Sequence, residues 1–263
     1  MIIATWNVNS INARLPVVLA WLEKHAPDVL LMQELKMTED KFPFAEFESL
    51  GYHAAVFGQK SWNGVAILSK HPIDDVVKGL PGDDSDEQSR YIEATIGGLR
   101  IASIYLPNGN PVDTEKYPYK LKWMDRLRDH VSGLLATEMP VVLGGDYNVI
   151  PDPRDCHDPM AWADDALFKI DTRQKFRALM HLGLTDAFRA VNNDDHQYTF
   201  WDYQAASWQR NNGIRIDHFL LSPQATDLLQ TCTIDKEPRG WEKASDHTPV
   251  ILTLGKPTRY HNT

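Results

Sequence analysis

Cysteine, long apolar runs and targeting segments are scarce or missing in this sequence, and each absence excludes a class of protein. Two cysteines, Cys156 and Cys232, cannot form a disulfide framework, so a reducing compartment is favoured over secretion. No apolar run approaches the roughly 20 residues that span a bilayer. The N-terminal "MIIATWNVNS" has no basic stretch of the kind that opens a signal peptide. We therefore expect a cytoplasmic protein that does not bind membranes.

Repeats, low-complexity tracts and Gly/Ser linkers are also missing from the 263 residues. Hydrophobic residues make up 43% of the chain, which is enough for a sizeable core. Strand-like runs around Gly97-Gly98 predict a hairpin, and helical segments lie between other strands. Hairpins mixed with helical crossovers predict mixed sheets covered by helices. We therefore predict a single α/β catalytic domain over residues 1–263.

Helical spacing of apolar residues predicts three longer helices, in RLPVVLAWLEKH, YPYKLKWMDRLRDHVSGLLATE and TRQKFRALMHL. The segment GIRIDHFLLS predicts a strand, and the stretch from Pro151 to about Asp171, rich in Pro and Asp, predicts a long ordered loop. The closing run before Leu254 predicts a final buried strand, entered through Asp246 and His247.

Positive charge is in the minority, with 27 Lys and Arg residues against 36 Asp and Glu and a net charge of −9. This balance argues mildly against non-specific coating of nucleic acid, which depends on neutralising phosphates. It is compatible with a local basic groove beside an acidic, metal-binding centre. Common catalytic signatures are missing too. Without CxxC or HExxH, GxSxG or GxxxxGKS, the sequence does not support a zinc site, a serine hydrolase or a P-loop enzyme.

Polar side chains stand where the apolar strands end, and we expect them to collect at one rim of the sheets. Each occurrence alone has an ordinary explanation, because Asn and Asp often begin turns. Glu34 and Asp146 are different, since an unpaired carboxylate after a buried run is strongly disfavoured. Oxygen-rich sites of this kind suit Mg²⁺ or Mn²⁺. The residues at the strand ends are Asn7, Asn9, Gln33, Glu34, Tyr105, Asn108, Asp146, Asn148, Asp217 and His218.

Six sequence blocks together resemble the exonuclease III family of apurinic/apyrimidinic endonucleases, in its bacterial exodeoxyribonuclease III branch. These blocks are TWNVNSI, LMQELK, SIYLPNG, GGDYNV, GIRIDH and SDHTPV, in the family's order and approximate spacing. The resemblance runs from Ile2 to Leu254 and places the chain in the endonuclease/exonuclease/phosphatase superfamily. It implies a four-layer α/β sandwich, in which two mixed sheets pack face to face between helices and the site lies at one edge.

The resemblance also implies an activity, a Mg²⁺-dependent phosphodiesterase of DNA repair, with Mn²⁺ as a substitute metal. Such an enzyme cuts double-stranded DNA 5′ to abasic sites, removes nucleotides 3′→5′ and processes blocked 3′ ends. The alternatives are a non-specific nuclease, a lipid or inositol phosphoesterase, and a catalytically inactive nucleic-acid-binding scaffold. The balance among the activities and the number of metal ions stay open. We expect a monomer.

Roles within the centre are implied by the same resemblance. Glu34 is the principal metal ligand with Asn7 beside it, and Asp146 orients or deprotonates the attacking water. Asn148 and Tyr105 donate to the phosphate or the leaving group, although Tyr105 alone would also suit a core aromatic. The predicted metal-binding set is Asn7, Glu34, Asp146, Asn148, Asp246 and His247.

His247 either donates to the phosphate as an imidazolium or moves a proton, so the base is Asp146 or His247. Asp246 fixes His247 or completes a second metal position. Asp217 orients a catalytic partner such as His247, but it could instead pair with Arg215. The other histidines, His157, His196 and His218, are interpreted as structural or surface residues.

The block YTFWDY would suit an aromatic core strand, but the resemblance makes it part of a pocket for a flipped, base-less sugar. Phe200 and Trp201 are the two residues assigned to this pocket. No role is carried to Leu35, where the family more often has threonine. The predicted contacts to DNA are Gln33, Lys36, Arg90, Lys116, Lys120, Arg210 and Arg215.

Overall fold

A computed structural model describes residues 1–256, so the last seven residues of the predicted domain lie outside the described range. The α-helices in this range are α1 (Ile11–His25), α2 (Phe44–Ser49), α3 (Lys116–Leu135), α4 (Ile170–Met180), α5 (Ala187–Val191), α6 (Ser207–Arg210) and α7 (Pro223–Thr226). Short 3₁₀ turns cover Glu39–Lys41, Pro153–Asp155 and Glu237–Gly240. Within residues 1–256 no helix is long and apolar enough to cross a membrane.

Within residues 1–256, twelve strands form two six-stranded sheets. The first sheet has the order β11-β12-β1-β2-β4-β3, and the second has the order β5-β6-β7-β8-β10-β9. The strands of the first sheet are β1 (Ile2–Asn7), β2 (Val29–Gln33), β3 (His53–Phe57), β4 (Val65–Ser69), β11 (Leu229–Ile234) and β12 (Val250–Leu254). Those of the second are β5 (Asp74–Lys78), β6 (Tyr91–Ile96), β7 (Leu99–Tyr105), β8 (Val141–Asp146), β9 (Thr185–Asp186) and β10 (Asp217–Leu221).

The two sheets pack face to face and share one apolar core. Buried residues of the first sheet, such as Leu31 and Ile67, lie in the same cluster as Ile101 and Phe219 of the second. Helices α1 and α2 cover the outer face of the first sheet, and α3 and α4 cover that of the second. The predicted four-layer α/β sandwich is therefore confirmed.

Both sheets are mixed, as the hairpin and crossover signals predicted. Strands β1 and β2 are parallel, as are β7 and β8, and the remaining pairs are antiparallel. The hairpin between β6 and β7 turns at Gly97 and Gly98, where φ is 57° and 81°, a conformation that glycine adopts at low cost.

The glycine pair at the end of β8 lets neighbouring groups come close. A Cβ at Gly145 would lie 2.0 Å from the Ile104 backbone oxygen, and one at Gly144 would lie 2.5 Å from the Phe219 ring. Only glycine therefore permits the tight approach of β8 to β7, in which Tyr105 pairs with Asp146. Atoms of β7 and β10, and not a ligand, occupy the space beside these two glycines.

The strand predicted for GIRIDHFLLS is shorter than expected, because regular pairing begins only at Asp217. Ile214 instead makes isolated bridges to Cys156 and Phe200. Asp217 therefore begins β10 and does not come after a strand. Since β10 runs antiparallel to β8, its first residue still lies opposite Asp146, at the same edge.

Two loop regions next to this edge depart from regular structure. Residues 151–169 form the predicted ordered loop, with one 3₁₀ turn at Pro153–Asp155. The block YTFWDY is not a strand, and Phe200 makes only isolated bridges, to Ile214 and His247. Both loops border the candidate active site.

Candidate active site

Carboxylates from both sheets meet at one edge of the sandwich. Single ligand atoms of Glu34, Asp146 and His247 lie within 4.8 Å of one another. The Asn7 amide joins the two acids, because its Nδ2 donates to Glu34 Oε1 and to Asp146 Oδ2, each at 2.9 Å. The Asn7 Oδ1 accepts from the Asn9 backbone N–H at 3.0 Å, which fixes this orientation. Strands β1, β2 and β8 thus place three predicted residues in direct contact.

Unusual backbone conformations recur at this centre. Asn9, Glu34 and Asn148 have φ values of 45°, 53° and 47°, in the left-handed region that residues other than glycine rarely adopt. Each such residue costs on the order of 1 kcal/mol, and backbone strain of this kind is concentrated at functional sites. All three residues come after the ends of strands, and Asn9 and Glu34 contact Asp246 and Asn7 at the centre.

His247 and Asp217 form a buried pair beside Asp146. The His247 Nδ1 lies 2.8 Å from Asp217 Oδ2, and its Nε2 lies 3.6 Å from Asp146 Oδ2. Burial alone would lower the pKa of His247, but the carboxylates of Asp217 and Asp146 outweigh it and raise that pKa to about 10. His247 is therefore an imidazolium at neutral pH, with its Nε2–H directed at the centre.

Asp146, like Asp217, is deeply buried, with 1% of its surface exposed. Burial raises the pKa of Asp146 to about 7, against the opposing effects of His247 and the Asn7 amide. A carboxyl group whose pKa lies close to neutrality can accept a proton from water and release it again.

Tyr105 and Asn148 are held at the centre by different partners. The Tyr105 hydroxyl donates to Glu34 Oε1 at 2.9 Å, and burial with the nearby Glu34 charge keeps the pKa of Tyr105 well above its ordinary value. The Asn148 side chain donates from Nδ2 to the Leu106 backbone oxygen at 2.8 Å, and its Oδ1 accepts from Asn108 at 3.3 Å. Tyr105 is thus a phenol donor, while the Asn148 amide also ties two loops together.

Both ends of the described chain contribute to the centre through direct contacts. The Trp6 Nε1 donates to the His247 backbone oxygen at 3.2 Å, and the Ser245 Oγ donates to the Asn7 backbone oxygen at 2.7 Å. The Asp246 Oδ1 accepts from Asn9 Nδ2 at 3.1 Å. Antiparallel pairing of β1 with β12 brings these segments together.

The donor set fits a hard divalent cation. Glu34 and Asp146 supply carboxylate oxygens that share one amide donor, and such oxygens are the preferred ligands of Mg²⁺ and Mn²⁺. Asn7 turns its nitrogen to these acids, so it becomes an oxygen ligand only after its amide rotates. The His247 ring is held by Asp217 at Nδ1 and directs Nε2 towards Asp146, which suits a hydrogen-bond donor to the substrate as well as a ligand atom of the metal group.

Comparison with known proteins identifies the family. Residues 4–247 match the profile of the Endonuclease/Exonuclease/phosphatase family. The chain belongs to this family. A relative, exodeoxyribonuclease III from Haemophilus influenzae, is 31% identical over 258 residues, which cover 94% of this chain and 97% of the relative. The DNA repair nuclease APEX1 from Danio rerio is 31% identical over 97% of this chain and 82% of its own length.

Solved structures agree with this membership. The 3′ phosphatase NExo from Neisseria, bound to a product DNA hairpin, is 42% identical with a TM-score of 0.95, covering 97% of this chain and 100% of that one. An AP endonuclease from Archaeoglobus fulgidus is 38% identical with a TM-score of 0.93, covering 97% and 99%. The predicted resemblance to the exonuclease III branch is confirmed.

Two cavities flank the centre of this family member and share Glu34, Tyr105, Asn108 and Asn110 among their lining residues. We call the larger one, of about 770 Å³, the basic cavity, because Lys36, Arg90 and Lys116 line it. The smaller one, of about 290 Å³, is called the acidic cavity. Its carboxylates are Glu34, Asp146, Asp165, Asp202 and Asp246, and its apolar wall consists of Trp162, Leu167, Phe200, Ile214 and Ile216.

The aromatic pocket differs from the sequence prediction in one residue. Phe200 lines the acidic cavity and its ring lies 5.0 Å from that of His247. Trp201 was assigned to the same pocket, but it is fully buried and its Nε1 donates to Asn211 at 3.1 Å. Trp162, Ile214 and Ile216 form the wall instead, and sequence reasoning missed them. Alternation in GIRIDH would have indicated the two isoleucines, since they share a side of the extended chain.

Two predicted DNA contacts lie inside the protein. Gln33 is fully buried and donates to Thr5 Oγ1 and Ser103 Oγ, each at 3.0 Å. Arg215 is 1% exposed and forms ion pairs with Asp155 at 2.8 Å and Asp186 at 2.9 Å. Neither side chain can reach a phosphate, because each is committed to neighbours in the core.

Lys120 and Arg210, two further candidates, do not line either cavity. Lys120 is buried and its Nζ donates to the backbone oxygens of Asn148 at 2.5 Å and Asn108 at 3.0 Å. Arg210 is exposed at the end of α6. Lys36, Arg90 and Lys116 remain the predicted contacts that the structure brings together.

Asp217 does not pair with Arg215, which leaves its carboxylate to His247. The remaining histidines have partners away from the centre. His218 is buried between Arg215 and the Val149 backbone oxygen, His196 bonds the Tyr198 hydroxyl, and His157 bonds the Gly213 backbone oxygen. These contacts agree with the structural interpretation of the three histidines.

Proposed function

We propose that this family member is a metal-dependent DNA phosphodiesterase, which cuts 5′ to abasic sites and removes nucleotides or blocking groups from 3′ ends. It is a hydrolytic nuclease. The observation that carries the proposal is the convergence of Glu34, Asp146 and the His247–Asp217 pair at the junction of the two cavities. The names of its relatives, exodeoxyribonuclease III and 3′ phosphatase among them, support the same chemistry.

The chain's own residues supply most of the proposed mechanism. A bound Mg²⁺, or Mn²⁺ in its place, would stabilise the negative charge of the phosphate, with Glu34 and Asp146 as the residues that hold it. We assign the base to Asp146, which accepts a proton from the attacking water. The imidazolium of His247 donates from Nε2–H to a phosphate oxygen as charge accumulates there, and Asp217 holds the ring in place.

The basic cavity suits the part of the cleaved strand that remains base-paired after the reaction. Lys36, Arg90 and Lys116 lie on one side of the centre, where they bind successive phosphates. Double-stranded DNA with abasic sites or blocked 3′ ends is the proposed partner, and a monomer is the proposed form. The two buried cysteines suit the reducing cytoplasm, where this DNA lies.

An inactive scaffold is the less favoured alternative, because a scaffold would not need a buried imidazolium aimed at an acid pair. The deciding experiment incubates three labelled duplexes, with an internal abasic site, a 3′-phosphate or no lesion, with Mg²⁺, Mn²⁺ or EDTA. We expect incision of the first, phosphate release from the second and 3′→5′ nucleotide removal from the third in either metal, and no cleavage in EDTA. The Asp146→Asn variant is the matched control for contaminating nucleases. Failure of the wild-type protein to cleave any duplex with metal would overturn the proposal.

A further inference from the structure

A layer of three polar side chains lies between the two sheets, beneath the catalytic centre. Gln33 of β2 donates from Nε2 to Thr5 Oγ1 on β1 and to Ser103 Oγ on β7, each at 3.0 Å. The Ser103 Oγ donates in turn to the Met32 backbone oxygen at 3.0 Å. All three side chains are fully buried. We call Thr5, Gln33 and Ser103 the polar layer, and its hydrogen bonds join β2 of the first sheet to β7 of the second.

The polar layer lies in register with the centre. Side chains two residues apart on a strand share a face, because successive side chains alternate. Thr5 is two residues before Asn7 on β1. Ser103 is likewise two residues before Tyr105 on β7. One step deeper on the same faces of β1, β2 and β7 lie the apolar residues Ile3, Leu31 and Ile101. The three strands therefore change from apolar core to polar layer to catalytic centre along their length.

On β2 the step from the polar layer to the centre is a single residue. Glu34 follows Gln33 directly, and its φ of 53° lies in the left-handed region, which breaks the alternation of the strand. A strained conformation of this kind persists only where surrounding contacts fix the chain. The Gln33 side chain makes two such contacts just before Glu34, and the Ser10 backbone N–H donates to the Glu34 backbone oxygen at 2.8 Å. The place of the Glu34 carboxylate thus depends on how Gln33 is held.

Stability alone does not require the polar layer. When both partners of a buried hydrogen bond are replaced by apolar groups of the same shape, the change in stability can be neutral or favourable. Apolar contacts are not directional, so they hold two sheets together without fixing their exact separation. Hydrogen bonds have a narrow range of length and angle. The polar layer therefore adds a defined distance between β2 and β7 to a core that would be stable without it.

The centre needs this defined distance, because its own contacts cross from one sheet to the other. The Tyr105 hydroxyl on the second sheet donates to Glu34 on the first at 2.9 Å. The Asn7 amide on the first sheet donates to Asp146 on the second at 2.9 Å. Functional groups have to be held within about 0.5 Å of their productive geometry. A small change in the separation of the sheets would consequently disturb both contacts together.

We infer that Gln33 is a positioning residue, which with Thr5 and Ser103 sets the separation of the sheets beneath the centre and so holds the Glu34 carboxylate ready for the metal ion. This inference rests on the proposed function, in which Glu34 holds the metal. Gln33 is buried and acts through the strands that carry the centre. Loss of the polar layer should therefore lower metal affinity and turnover while stability is kept.

The test replaces the whole polar layer in the triple variant Thr5→Val, Gln33→Leu, Ser103→Ala, which removes both members of each side-chain hydrogen bond. We expect Tm to stay the same or rise. The Kd for Mn²⁺ without DNA, measured from the EPR signal of the free ion, should rise about tenfold. Turnover (kcat) on a duplex with an abasic site should fall about ten- to a hundredfold. KM should change much less, because the cavities that bind DNA are unaltered.

Two single variants separate hydrogen bonding from packing at Thr5. Thr5→Ser keeps the hydroxyl that accepts from Gln33 and loses a methyl group, whereas Thr5→Val keeps the shape and loses the hydroxyl. Positioning by the hydrogen bond predicts a several-fold rise in the Kd for Mn²⁺ and a several-fold fall in kcat for Thr5→Val only. Ile3→Val, one step deeper on the same face, is the control for a lost buried methyl group and should leave both values unchanged.

Two results would overturn the inference and leave the proposed nuclease intact. One is a wild-type Kd for Mn²⁺ and a wild-type kcat in the triple variant. The other is a loss in Thr5→Ser or Ile3→Val as large as that in Thr5→Val, because packing would then account for the effect. If the triple variant does not fold, the Thr5 pair gives the same decision. Absence of cleavage of every duplex by the wild-type protein would instead overturn the proposed function.

Discussion

The basic and acidic cavities share four lining residues, yet they are built differently. Cations of the basic cavity stand on long side chains, of which Lys36 donates to Asn9 Oδ1 at 2.6 Å and Arg90 donates from Nε to Gln88 Oε1 at 2.7 Å. Carboxylates of the acidic cavity stand on short side chains fixed by backbone amides, as Asp165 and Asp202 show. Charges of both cavities are therefore held by hydrogen bonds, and the two cavities differ in the sign of the charge that they present. Net charge of the whole chain, −9, describes neither wall.

The largest effect should come from the centre that both cavities share. Asp146→Asn should lower turnover about a thousandfold or more on terminal and internal substrates alike, because both reactions need the same base and metal ligand. Duplex binding should change little. Single-turnover rates beside an equilibrium binding titration check this prediction, and an equal loss of binding and turnover would assign Asp146 a structural role.

Asp217→Asn should have the next largest effect, about a hundredfold in turnover. The Asp217 carboxylate raises the pKa of His247, so the imidazolium of the wild-type enzyme is lost only as pH rises through about 10. In the variant this pKa falls, and the alkaline limb of the pH–rate profile should move to lower pH. The profile of kcat/KM from about pH 6 to about pH 11 measures the shift. An alkaline limb that does not move would show that a group other than His247 titrates there.

Loss of positive charge in the basic cavity should have a smaller and uniform effect. Arg90→Gln and Lys116→Gln should each weaken duplex binding by about three- to tenfold and reduce the slope of log K against log salt by about 1. Terminal and internal substrates should be affected equally. Matched Arg128→Gln, on the exposed side of α3, serves as the control. An unequal loss of affinity for terminal and internal substrates would contradict a role of Arg90 and Lys116 in binding the DNA backbone.

The smallest effect should be that of Phe200→Leu in the apolar wall. Its ring borders both the acidic cavity and His247. We expect kcat/KM to fall about threefold for abasic substrates and less for 3′-phosphate substrates, because only an abasic substrate fills the pocket with a sugar. Parallel kcat/KM measurements on the two substrates check it, and equal losses would remove Phe200 from sugar recognition.

Much of the centre could be predicted, because its chemistry constrains residue type. Glu34 and Asp146 come after buried apolar runs, where a carboxylate needs a partner, and both lie at the edge expected for strand ends. Asp217 was expected to come after a strand, but it is the first residue of β10. It lies at the same edge as Asp146 because β10 pairs antiparallel to β8. The direction of a strand is not encoded in a short apolar run.

The wrong DNA contacts share one physical cause, the alternation of side chains along an extended chain. Gln33 precedes Glu34, Trp201 comes after Phe200, and Arg215 lies between two cavity-lining isoleucines. In each set one neighbour faces the site and the other faces the core. Residue type or the family resemblance assigned these neighbours to DNA or to the sugar pocket together, without separating the side chains that face the core. Trp162 carries no such signal, because its loop has no regular period.

Contact between the two ends of the described chain has a consequence for biosynthesis. Asn7 is synthesised well before His247, whose backbone oxygen accepts from Trp6 across 241 positions of the sequence. A nascent chain that has already formed β1, β2 and β8 therefore still lacks the proton donor of its centre. Truncated products that end before His247 should consequently lack nuclease activity.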